Sequence, residues 1–64
     1  MYIGDQIQEH IEKAKRYAKS DDHIAAISES LIALDILLLN AHHFGIDEVK
    51  STCIKLTTTL RQLT

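Results

Sequence analysis

The sequence predicts an all-α fold: a three-helix, up-down-up antiparallel unit spanning residues 1–64 as a single domain, which joins further copies of itself in a larger helical bundle. Three observations predict it. The 64-residue chain has no proline and only two glycines, Gly4 and Gly45, and good helix formers dominate it. Apolar residues recur at spacings of three and four in three consecutive segments. Only short breaks separate these segments, which favours antiparallel neighbours.

The first helix is expected over about residues 5–19. Ile3, Ile7, Ile11, Ala14 and Ala18 share one face. Asp5 is the expected N-cap. Acidic residues come early and basic residues late, in accord with the helix macrodipole. Glu9–Lys13 and Glu12–Arg16 are expected i,i+4 pairs. Ser20-Asp21-Asp22 breaks the pattern, with Asp21 or Asp22 as the next cap.

The second helix, over about residues 22–43, has an unusual composition. Ile24, Ile27, Leu31, Leu34, Leu38 and Ala41 follow the spacing of a heptad seam. A second stripe, Ile32, Ile36 and Leu39, lies roughly 100° or more around the cylinder. Leu37 points to a further side. After the cap the only acids are Glu29 and Asp35, and the helix has no Lys or Arg. A surface helix of a monomer normally shows one apolar stripe. Two flanking helices are not expected to cover all of this surface, so Ile32, Ile36, Leu37 and Leu39 are the expected interface for a second copy or another protein.

Gly45 is expected to close helix 2 as a left-handed C-terminal cap, and Asp47 to open a third helix over about residues 47–63. Ile46, Val49, Cys53, Leu56, Leu60 and Leu63 form its apolar face. Lys50, Ser51, Lys55, Thr58, Thr59, Arg61 and Gln62 form its outer face.

Size and composition narrow the function classes. A chain this short buries only about 60% of its unfolded surface, so an isolated monomer is marginal and oligomerisation is a common remedy. Cys53 is the only cysteine, which rules out an intrachain disulfide and fits a reducing compartment. The net charge of −2 is a poor basis for duplex-DNA binding. No apolar run approaches the roughly 20 residues that cross a bilayer. The opening residues MYIGDQIQEH have neither the pattern of a signal peptide nor the second-position glycine of a myristoylation site. A cytoplasmic protein that does not bind membranes is therefore expected.

Candidate chemistry is sparse. The adjacent His42 and His43 point about 100° apart on a helix and lack the i,i+3 or i,i+4 spacing of metal ligands. Their expected role is to cap the last carbonyls of helix 2. Cys53 has no CxxC partner. No metal or cofactor is expected. Ser28, Asp35 and His42 are seven apart and lie along one line of helix 2. This line is a solvated strip, a polar seam that fixes oligomer register, or the wall of a ligand cavity. It is not a catalytic triad, because seven helical residues span roughly 10 Å. Lys13, Lys15, Arg16 and Lys19, with Tyr17 among them, form a basic cluster that suits a small anionic or nucleotide-like ligand. No paired carboxylates, glycine-rich loop or nucleophile–base pair suggests an enzyme. The expectation is a small, non-catalytic interaction protein that self-associates through helix 2. The alternative is an oligomer that sequesters an anionic ligand through the Lys13–Lys19 cluster.

Overall fold

The structure, a computed structural model, describes residues 2–62. These residues form three α-helices and one short 3-10 turn, with no strand among them: α1 Ile3–Lys19, α2 His23–Leu39, the 3-10 turn Ala41–His43 and α3 Ile46–Arg61.

α1 starts earlier than expected. Tyr2 is the N-cap, and Asp5 lies in the first turn rather than at the cap. Its apolar face is the one the spacing predicts, with Ile7, Ile11 and Ala14 buried. Lys13 meets Glu9 at 3.8 Å as expected. Glu12, however, pairs with Lys15 at 3.5 Å and accepts a bond from Gln8 at 2.8 Å, in place of the expected Arg16. These exposed contacts contribute little to stability.

The turn into α2 is tight. Asp21 takes a left-handed conformation, φ 59°, which Asp tolerates better than most residues. Asp22 caps α2, its carboxylate accepting the Ala25 N–H at 3.2 Å. Asp22→Ala should therefore lower stability by about 1 kcal/mol, read as an earlier urea midpoint at unchanged slope. An unchanged midpoint would mean that the cap contributes nothing.

α2 turns its small residues inward. Its buried positions are Ala26, Ser30, Ala33 and Leu37, at spacings of four, three and four. Three of these side chains are small, which lets α1 approach closely with its bulky Ile7 and Ile11. The Ser30 hydroxyl is satisfied within the helix, donating to the Ala26 carbonyl at 2.9 Å. The core cluster joins Ile7 and Ile11 of α1, Ala33 and Leu37 of α2, and Leu56 of α3, with Phe44, Val49 and Cys53 half-buried at its edge. His10 Nδ1 lies 2.6 Å from Glu29 Oε2, a part-buried link between α1 and α2. Most inter-helix packing is between α1 and α2, and α3 rests more lightly on both.

The end of α2 differs from expectation. Asn40 terminates the helix, its side-chain amide donating to the Ile36 carbonyl at 2.9 Å. A 3-10 turn follows where the helix was expected to continue to residue 43. Gly45 is extended, at φ −69° and ψ 156°, and serves as N-cap of α3 instead of a left-handed C-terminal cap. Asp47 and Glu48 lie inside the first turn of α3, where they still favour its positive end.

α3 is rotated relative to the expected face. Thr59, expected outside, is buried, and its hydroxyl donates to the Lys55 carbonyl at 2.9 Å. That internal bond is what makes a buried threonine acceptable here. Ile46, expected inside, is exposed, while Leu56 is buried. Leu63, the expected end of this face, lies outside the described residues.

Candidate functional site: the outer face of α2

Packing small residues inward leaves the bulky residues of α2 outside. Ile24 is 82% exposed, Leu31 59%, Leu38 65% and Leu39 69%, and Ile27 and Ile32 are also exposed. The stripe with heptad spacing is thus mostly open, with Leu34 and Ala41 half-buried. Six large aliphatic side chains on one 17-residue helix face solvent. That much apolar surface on one element is uncommon for a monomer.

The four residues expected to form the interface fall into two groups. Ile32 and Leu39 are on the open side and Ile36 is half-buried. Leu37 is 1% exposed and belongs to the core, packed in the cluster with Ile7, Ile11 and Leu56. The small-residue spacing Ala26, Ser30, Ala33 is the sequence signal that places it there, since Leu37 continues the same face by four.

Ser28, Asp35 and His42 are all exposed. On the 3.6-residue period, Ser28 and Asp35 point almost directly away from the buried face. They run down the middle of the open surface with an apolar stripe on either side. Ile24, Leu31 and Leu38 form one flank, and Ile32 and Leu39 the other. Asp35 also borders a shallow surface depression with Leu31, Ile32, Leu34 and Leu38.

Toward α3 the first stripe descends into a groove of about 180 Å³. Its walls are Ile27, Leu31 and Leu34 from α2 and Cys53, Leu56 and Leu60 from α3. The groove is almost wholly apolar and is partly open to solvent. It extends the α2 surface sideways.

The other candidates are not brought together into a site. The rings of His42 and His43 lie 4.0 Å apart at 42° in the 3-10 turn. Asn40 takes the capping role expected of them. No group of three His, Cys, Asp or Glu residues is placed to hold a metal ion among the described residues. Of the basic cluster, Lys13 and Lys15 face Glu9 and Glu12, while Arg16, Tyr17 and Lys19 are exposed along α1. No described helix is long and apolar enough to cross a membrane.

No protein-family model matches the chain, and no curated protein or solved structure does so.

Proposed function

We propose that this chain is a small, non-catalytic interaction protein of the cytoplasm whose three helices run up, down and up, and that it self-associates through the outer face of α2. One observation carries the reading: six large aliphatic residues of α2 stand exposed on a helix whose remaining acids are Glu29, paired with His10, and Asp35. Each such side chain forgoes up to about 1.5–3 kcal/mol relative to full burial. The sum is a large share of the stability available to so small a domain. The short linker at residues 20–22 and the His10–Glu29 link support the hairpin of α1 and α2. The role that follows is that of a binding partner, since the surface offers apolar area and shape but no reacting groups.

Sedimentation equilibrium over nanomolar to high-micromolar concentrations tests this reading. The expected result is a mass that rises with concentration to a multiple of 7.2 kDa. A single 7.2 kDa species at every concentration would overturn it.

A further inference from the structure

The α2 surface carries information about what covers it. Reflect the helix through the peptide between Leu31 and Ile32, and its buried and midline positions map onto like positions, whereas Leu34 falls on Glu29 and Leu38 on Ala25. The buried positions exchange in pairs, Ala26 with Leu37 and Ser30 with Ala33. Among the apolar positions Ile24 exchanges with Leu39 and Leu31 with Ile32, both pairs exposed, and the exposed Ile27 exchanges with the half-buried Ile36. Ser28 exchanges with Asp35, the two polar residues on the midline of the open face. A two-fold axis beside that peptide would keep each apolar stripe on its own side, setting Leu31 against Leu31, Ile32 against Ile32, Ile24 against Leu38 and Ser28 against Asp35 of the other copy, so that the same patch serves both partners.

The geometry points to a second copy of this chain as the occupant, docked α2 against α2 in antiparallel orientation, with the two-fold axis passing beside the Leu31–Ile32 peptide. This rests on the self-association proposed above and specifies its face and register. In that arrangement Leu31 and Ile32 each lie beside their own counterparts. Ile24 lies along the partner's Leu38. The Ser28 hydroxyl donates to the carboxylate of the partner's Asp35, twice by symmetry. The line of Ser28 and Asp35 thereby becomes a seam that fixes register, because a shift along the helix would leave both carboxylates without a donor between apolar stripes.

Charge and area agree with this occupant. The open face carries no Lys or Arg, and Asp35 is its only charge, so two copies meet without a large repulsion. An antiparallel pair also sets the exposed Asp21 and Asp22, at the start of α2, near the exposed His42 and His43 beyond the partner's α2 terminus. That placement joins acid to imidazole and opposes the helix dipoles favourably. The exposed side chains of the open face offer on the order of 500 Å² per copy, so a pair covers on the order of 1,000 Å², the lower size for a specific interface.

Cysteine cross-linking in the full chain tests the register. All variants carry Cys53→Ser, so that only introduced thiols react, and a mild thiol oxidant is applied at a concentration where the chain sediments as an oligomer. Leu31→Cys alone should give covalent dimer. Ser28→Cys mixed with Asp35→Cys should give covalent dimer at least tenfold faster than either variant by itself. Faster linkage of Ser28→Cys to itself, or of Asp35→Cys to itself, would overturn the antiparallel register. An oligomer in which none of these positions cross-links would overturn the α2–α2 contact while leaving self-association in place. A monomer at every concentration would overturn both, including the case in which a helix of another protein is the natural occupant.

Discussion

Leu31→Lys is expected to leave the chain folded and monomeric. Leu31 lies at the centre of the open α2 face and is 59% exposed in the single chain, so the fold gains little from it. In the proposed pair it lies beside the axis, and both copies lose their contact at once. Burying the exposed part of two leucines contributes roughly 2–4 kcal/mol, which corresponds to roughly 30–1,000-fold in dissociation constant. Two ammonium groups facing each other across the axis add repulsion to that loss. An overall weakening of at least ~100-fold is expected. Sedimentation and the helical circular-dichroism signal read the two halves of the prediction separately. The variant should sediment as a monomer where the parent chain is associated, with its helical signal retained. Unchanged association would place the interface elsewhere.

Leu37→Ala is expected to act in the opposite way, by removing stability from the single chain. Leu37 is 1% exposed and sits where α1, α2 and α3 meet, against Ile7, Ile11 and Leu56. Truncating a buried leucine removes transfer free energy and leaves a cavity, which together cost about 2–5 kcal/mol. A domain of this length has roughly 3–10 kcal/mol in all. The variant should therefore melt far below the parent or populate unfolded chain at room temperature, as urea titration would show. Ile54→Ala is the matched control, because Ile54 is exposed on α3 away from the core. It should shift stability by no more than about 0.5 kcal/mol. A mild effect of Leu37→Ala, similar to that of the control, would contradict the packing described here.

The all-helical class and the number of helices were legible in the sequence, because α1 and α3 have one apolar face each and Asp22 marks the turn between α1 and α2. The face of α2 was harder to read. Bulky residues occupy so much of that helix that periodicity alone does not choose a core side. The choice falls to a steric match: α1 presents Ile7 and Ile11, and the α2 face that fits against them is the one with Ala26, Ser30 and Ala33. The small-residue spacing was present in the sequence, but its meaning depends on the partner helix. Thr59 departs from the expected outer face for a related reason. A threonine counts as polar until its hydroxyl bonds the carbonyl four residues earlier, after which its methyl group packs as an apolar surface. The position of Gly45 after an apolar helix favours a left-handed cap, whereas an extended backbone there starts α3 instead. The surplus apolar character of α2 survived all these differences, because it follows from composition rather than from register.

The most direct measurement is an isotope-filtered nuclear Overhauser experiment on an equimolar mixture of ¹³C-labelled and unlabelled chain, which detects only contacts between copies. Methyl cross-peaks between Leu31 and its counterpart, and between Ile24 and Leu38 of the partner subunit, are the predicted result. A well-dispersed spectrum at millimolar concentration with no inter-chain cross-peaks and the tumbling time of a 7.2 kDa particle would contradict the account.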